Sequence, residues 1–434
     1  MPKERRGGRK ATTASKPTCV TQASLIQRTH HVSLPKSNYL GDQYHVRRLA
    51  LLACLIGAGV RTWLWWISYG SNDVTNWIGH AERVLQIGLV EAYRTHTTLN
   101  HPPIFAEYAA LSWKLAQADT LWFARLIKLP GLCGEALILW ALWRYRSPAF
   151  VAVYATAPAG MLVSAYHGNT DTLCGALAML SGLLFEKRAY LIAGLLLAAA
   201  LNVKLMALVL VPVLLLAIPN LRALAQGSLG FAIGSIPFLL PAVRVPREMY
   251  RNMLAYGSNP DNWGLLAFLN PASETQNIAP FFAPIRDAFL RHGRYWMFAA
   301  IVIVSILARY RFRWSMPVRM GLAAALFLIL APGFGVQYVG FVAPLVMAAS
   351  LRHGALWGWL SGIFAGLVYW IFLTSTHPVA SVLTRWYPEP ASMVGLVSWA
   401  GLIYFVYAAS AEALSRQQQP VPSQAEAFDL QRQS

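Results

Sequence analysis

Between positions 189 and 218 about thirty residues run apolar, and the only interruption is Asn202-Val203-Lys204. One membrane-crossing helix uses ~20 such residues. Thirty is too many for one crossing, so the polar break is where two short helices meet. Inside a bilayer only helices and closed barrels satisfy their own backbone, and unalternating runs of this length read as helices. Comparable runs recur at about 49–69, 122–143, 149–165, 172–185, 226–243, 295–308, 318–331, 338–350, 355–373 and 393–410. With the two short helices they make about twelve crossings. The expected fold is all-α, a polytopic transmembrane bundle.

Charge assigns the sides. Only 12% of residues are charged, against ~25% in soluble domains, yet the net charge is +18. Arg and Lys cluster in short segments between apolar runs, as the positive-inside rule expects, with anionic lipid headgroups as counter-ions. Up to Arg48 there are ten Lys/Arg against Glu4 and Asp42, which puts the N-terminus in the cytosol. Twelve crossings return the C-terminus to the same side. Residues 1–46 read as a disordered basic leader, 47–411 as the membrane domain and 412–434 as a disordered tail. Segments 71–121 and 244–294 become two long external loops, and helical patches at 77–89 and 104–115 suit the interface. Basic stripes are not interleaved with aromatics in a water-soluble segment, which argues against nucleic acid as a partner. The cysteines form no C-x-x-C pair, and neither a disulfide frame nor a zinc site is expected.

Several polar groups collect on the external face. Asp73 lies just past the first span beside Trp77. It is a solvated loop acid, an ion-pair partner of Arg61 or Arg83, or a carboxylate placed to take a proton from a sugar hydroxyl. Asn100-His101-Pro102-Pro103 has the form of a helix start, with His101 as a candidate pocket residue. His167-Gly168-Asn169-Thr170-Asp171 ends a helical hairpin; Asp171 caps the next helix, or the five polar or small residues line a wet cavity. Lys204 is an ammonium in an apolar run and requires an anion, either Asp171 or a bound phosphate. Arg244, Arg247 and Arg251, with Tyr256, Asn259, Asp261 and Trp263, form a cluster suited to phosphate oxygens. Gln337 and Tyr338 follow Pro332 at a helix mouth. There is no Walker loop, no dinucleotide fingerprint and no soluble metal motif, so no cofactor or metal is expected and any sugar donor should be lipid-linked.

These residues resemble the GT-C superfamily of integral membrane glycosyltransferases. Asp73 with Trp77 is similar to its first-loop acid motif, and Asn100-His101-Pro102-Pro103-Ile104 to the N/Y-x-P-P-L element. His167-Gly168-Asn169-Thr170-Asp171 looks like the His-x-Gln or Gly-Gln-x-Asp turn. Leu201-Asn202-Val203-Lys204-Leu205-Met206 is similar to the N-x-K-x-M run of lipid-linked oligosaccharide glucosyltransferases, and Gly335-Val336-Gln337-Tyr338 to a late F-x-x-Q-Y mouth. Two departures, Thr75 in place of a second acid and Gln337-Tyr338 in place of a His-Glu-Lys motif, favour a bacterial mannosyltransferase-like member. The resemblance implies an inverting enzyme of the bacterial inner membrane, its site facing the periplasm. It would move a hexose, mannose foremost, from a polyprenyl-phosphate carrier to a glycan or lipid acceptor. Asp73 would be the general base; Lys204 with Arg251 or Arg247 would hold the departing phosphate; Trp77, His101, His167, Asp171, Gln337 and Tyr338 would shape the pocket. The alternative is a transporter or lipid flippase, with Lys204 and Asp171 as its substrate or ion site; the sequence has no evident inverted repeat.

Overall fold

The computed structural model describes residues 37–255, 263–274, 276–372 and 389–418. The chain divides after Tyr44 into two units, and the second holds everything below apart from the first turns of α1. Every regular element among the described residues is helical. The order begins α1 (Ser37–Ile67), α2 (Asn72–Ile87), α3 (Leu89–Thr95), α4 (Pro103–Leu115), α5 (Thr120–Tyr145), α6 (Pro148–Thr156) and α7 (Pro158–Met161), which runs into a π-turn at Leu162–His167. It continues through α8 (Asp171–Glu186), α9 (Tyr190–Val203), a 3-10 turn at Leu205–Leu210, α10 (Val211–Ala217), α11 (Leu221–Arg244) and α12 (Pro246–Met249). After a second π-turn at Tyr250–Leu254 come α13 (Gly264–Glu274), α14 (Ala279–Ile306), α15 (Met316–Leu330), α16 (Tyr338–Ala349), α17 (Leu351–Phe372) and α18 (Glu389–Gln418).

Local chemistry sets the boundaries. Ser71 accepts from the Asp73 amide to start α2; Asp119 starts α5 and Asn220 starts α11 in the same way, each satisfying an orphan donor of the first turn. In α2, Val74, Trp77, Ala81 and Val84 bury one stripe, the three-and-four spacing of an amphipathic helix. α9 and α11 touch backbone to backbone: a Cβ on Gly194 would lie 2.0 Å from the Gly227 carbonyl oxygen, and one on Gly230 would lie 1.9 Å from that of Leu191. Small residues are what permit such an approach between helices in lipid. Arg61 of α1 and Glu135 of α5 form a buried ion pair at 2.6 Å. Tyr154 Oη donates to the other Glu135 oxygen at 3.0 Å, and Arg61 also reaches the Gly57 and Ala155 carbonyls. The charges therefore keep partners on every side, the condition for burying an ion pair without a large penalty.

Five described helices are long and apolar enough to cross a membrane: the part of α1 from Tyr44, α5, α11, α14 with its extension to Arg311, and the part of α18 from Val394. The pair at 148–167, read from sequence as one crossing, bends by 51° at Ala157 and adds a sixth if counted as one span. Four shorter apolar helices follow, two of them meeting at Lys204. Two elements differ from expectation in extent. α1 begins at Ser37 rather than near 49, and α14 begins at Ala279 rather than near 295. In both, a polar helical segment precedes the apolar run, and hydropathy alone does not register it. The 71–121 segment also contains a short helix, α3, between the two expected patches.

Candidate functional site

Two turns create the site. α1 ends at Ile67, and Ser68 Oγ then donates to the Tyr166 carbonyl at 3.0 Å while the Ser71 amide donates to the His167 carbonyl at 3.3 Å. Lys128 of α5, itself buried, donates from Nζ to the Ser68 carbonyl. Gly70 has φ +108°, and a Cβ there would meet Val74 at 2.6 Å and the His167 carbonyl oxygen at 3.0 Å. Only glycine fits at that approach. Gly168, at φ +87°, ends the π-turn in the left-handed conformation. Stitched together, the turns hold the start of α2, and so Asp73, against the 167–171 segment.

A continuous polar chain results. Asn169 Nδ2 donates to Asp73 Oδ2 at 2.9 Å, and His167 Nε2 stands 3.0 Å from the same oxygen. The Asn169 carboxamide oxygen accepts from the Thr170 amide at 2.7 Å and from Lys204 Nζ at 3.4 Å. Lys204 Nζ lies 2.6 Å from Asp171 Oδ1 and 5.4 Å from the Tyr338 ring. Lys204 is placed by the break after α9, where its backbone is extended before the 3-10 turn begins. Of the two anions weighed from sequence, Asp171 is therefore present beside it. Exposure separates the members: the Asp73 side chain is 26% accessible and Lys204 14%, against 2% for His167 and 0% for Asp171. A ligand can reach the carboxylate and the ammonium, while the buried groups hold them in place.

Burial alone would push the Asp73 carboxyl up. The His167 imidazole, the Lys204 ammonium and the Asn169 amide outweigh burial and hold it well below the usual carboxylate range. The neighbouring imidazoles move the other way. Burial, reinforced by His96, lowers His80 to about 4 against the pull of Asp73. Burial and then Lys204 push His101 well below its ordinary value. Both rings are therefore neutral at physiological pH.

Trp77 packs edge-on to His101 at 4.3 Å and to Phe105 at 4.4 Å, and the Tyr93 hydroxyl donates to the His101 carbonyl at 2.6 Å. Gln337 precedes α16 with its carboxamide folded over Gly335. Arg247 and Arg251 are both exposed. Arg251 Nε donates to Asn252 at 3.0 Å, and Asn252 donates in turn to the Tyr93 and His96 carbonyls at 3.1 Å each. No contact among the described residues brings either arginine to Asp73 or Lys204. Trp263 is a core residue, stacked on Phe334 at 4.3 Å and donating to the Leu328 carbonyl. Tyr256, Asn259 and Asp261 lie outside the described residues. The apolar groove between α9, α10 and α11, lined by Phe185, Leu197, Leu214 and Phe231 among others, contains none of these polar groups.

Sequence reasoning did not single out Asn169 within its turn, nor Lys128 or Tyr369. Lys128 carried a signal, a cation three residues after Arg125 inside an apolar span. Tyr369, whose ring stacks on His167 at 4.6 Å, carried none, because only the fold brings α17 to the π-turn.

No protein-family profile and no curated protein matches this sequence. Among solved structures, ArnT from Cupriavidus metallidurans bound to undecaprenyl phosphate is 15% identical, with 83% of this chain and 77% of that chain covered at a TM-score of 0.40. Likeness at that level decides nothing about the site.

Proposed function

We propose that this protein is an inverting membrane glycosyltransferase that takes a hexose, mannose foremost, from a polyprenyl-phosphate carrier and passes it to an extracytoplasmic glycan or lipid. The observation that carries this reading is the single Asn169 carboxamide spanning from Asp73 to Lys204. A reachable carboxylate and a reachable ammonium flank one side chain.

The acceptor hydroxyl donates to Asp73. As its oxygen attacks the anomeric carbon, the proton passes to the Asp73 carboxylate. The bond from that carbon to the phosphate oxygen breaks, and its electron pair stays on the phosphate. Attack from the face opposite the departing group inverts the centre. An ammonium has three N–H donors; Asp171 and Asn169 take two on Lys204, which leaves one for a phosphate oxygen as its charge grows. Asp73 is ionised throughout the physiological range, so its basic form is always present. Because it is a weak base, it takes the proton late, when bond formation has made the hydroxyl acidic. His167, beneath the Tyr369 ring, orients Asp73; its own side chain is too buried to meet an acceptor. Trp77, His101, Gln337 and Tyr338 wall the pocket, and Arg247 and Arg251 steer anionic lipid from the external surface. The site faces the periplasm of a bacterial inner membrane, with both termini and the basic segments in the cytosol and about twelve crossings in all.

The test is purified full-length protein in lipid vesicles, given labelled polyprenyl-phosphate mannose and a cell-envelope lipid extract. Release of polyprenyl phosphate with label moving to the extract is expected. Label crossing the vesicle membrane with its carrier bond intact would establish the transporter instead.

A further inference from the structure

Three buried N–H donors at the end of α14 have nothing to donate to. The helix runs on through a π-turn at Leu307–Arg311, and the chain then doubles back, with the Phe312 amide donating to the Leu307 carbonyl and the Trp314 amide to the Ala308 carbonyl, each at 2.9 Å. The Trp314 carbonyl accepts from Arg319 Nε at 2.6 Å. Trp314 thus ties the turn that carries Arg309 to the guanidinium of Arg319, across the start of α15. Its side chain is buried, 6% accessible, and stacks on Phe312 at 4.8 Å. Around this joint Trp314 Nε1, Arg309 Nε and Arg319 Nη1 are all buried, and none has a hydrogen-bond partner among the described residues. Buried polar atoms are almost always paired. All three are donors and two belong to cations, while the acid facing Arg319, Glu186, is engaged: its Oε1 accepts from the Met316 amide at 3.2 Å. What the corner lacks is an acceptor with negative charge. It is remote from the polar chain at Asp73, because Glu186 closes α8, whose 16 residues begin at Asp171, and ~24 Å of helix separates the two ends. Phe185, next to Glu186, lines the apolar groove between α9, α10 and α11, so apolar space opens one residue from the acid that meets α15.

We infer that this corner binds the phosphate of an anionic phospholipid. Trp314 Nε1 and the guanidinium groups of Arg309 and Arg319 donate to its oxygens, with an acyl chain directed to the neighbouring groove. Guanidinium groups match phosphate oxygens in geometry as well as in charge. α14 with its extension to Arg311 is long and apolar enough to cross a membrane, and the end of such a helix is the depth at which headgroups sit. The inference stands on this corner alone and does not use the transferase reading.

The experiment uses delipidated full-length protein in detergent: wild type, Trp314→Phe, which keeps an aromatic ring and loses the N–H, and Arg309→Gln. Native mass spectrometry and thermal unfolding follow titration with phosphatidylglycerol, with diacylglycerol of the same chains, and with inorganic phosphate at matched ionic strength. Phosphatidylglycerol should bind wild type and raise its unfolding temperature, and neither diacylglycerol nor inorganic phosphate should do so. Each substitution should weaken phosphatidylglycerol binding about ten- to a hundredfold, the worth of one hydrogen bond to a charged partner. Without lipid both variants should unfold at the wild-type temperature, since only idle donors are lost. A clear fall there would mean that the donors have partners within the protein, and equal phosphatidylglycerol binding by all three proteins would mean that the lipid sits elsewhere; either overturns the inference. Diacylglycerol protecting as well as phosphatidylglycerol would overturn the role of the phosphate, and protection by inorganic phosphate alone would overturn the lipid as its source.

Discussion

Replacing Lys204 by methionine tests how the site is held together. The substitution keeps the length of the side chain and removes the charge. Asp171 is left with no accessible surface and no cation at 2.6 Å. Removing one partner of a buried pair costs about 3–5 kcal/mol, because the survivor remains desolvated and uncompensated. Lys204 retains 14% accessibility, so water softens the loss and the lower end, about 3 kcal/mol, is the expected value. Against a total stability of about 5–15 kcal/mol, that is a large fraction. Adding Asp171→Asn should recover most of it, since a neutral pair of similar volume carries no buried charge. The double variant should then unfold near the wild-type midpoint yet fail to transfer sugar, because nothing faces the departing phosphate. The assay is chemical unfolding in detergent for all four members of the cycle, with transfer measured on the folded ones. If Lys204→Met is as stable as wild type, the ion pair contributes nothing and the electrostatic account of this region is wrong. A stable double variant with normal transfer would show that Lys204 does not serve the phosphate.

Other expectations follow from the same geometry. Asp73 is depressed in the folded state, so its ionised form adds stability in full above the unfolded value of ~3.9, and that contribution is lost as pH falls through the lower folded value. Transfer should accordingly persist from pH 7 to ~5; a pH-rate profile in which activity falls away between those values, as a protonating base would cause, would contradict the depressed carboxyl. Asn169→Leu removes the bridge between Asp73 and Lys204 and should lower transfer at least tenfold, the effect of one lost hydrogen bond; full activity would show that the bridge is incidental. Gly70→Ala forces a Cβ into the Val74 side chain at positive φ, which should destabilise the protein by about 1–3 kcal/mol and reduce transfer by displacing Asp73, as thermal unfolding and activity together would reveal.

The fold was legible wherever a single segment decides it. Apolar length placed α5, α8 and α11, and the Asn202-Val203-Lys204 break divided the 189–218 run at the residue where α9 ends. Hydropathy was blind to the polar beginnings of α1 and α14, whose helices extend well before the apolar runs. In the site, Asp73, Lys204 and Asp171 stood out because ionisable groups beside or within apolar runs are costly, but nothing local indicated how they meet. Their meeting depends on a stitched pair of turns, the left-handed glycines at 70 and 168 and the Lys128 bond to the end of α1. Arg247 and Arg251 were grouped with the phosphate site on charge alone, and what the fold adds is that the neighbouring Asn252 ties their segment to the Tyr93 and His96 carbonyls. Tyr369 was invisible because its partner, His167, is about two hundred positions away in sequence.

The proposed chemistry depends on one carboxylate more than on any other group. Single-turnover transfer from labelled polyprenyl-phosphate mannose by Asp73→Asn, with folding verified by its unfolding curve, is the most direct measurement of it. The isosteric amide keeps the hydrogen-bonding volume and cannot take the proton, so the rate should fall about a hundred- to ten-thousand-fold with donor still bound. Transfer by Asp73→Asn at the wild-type rate would contradict the assignment of Asp73 as the base.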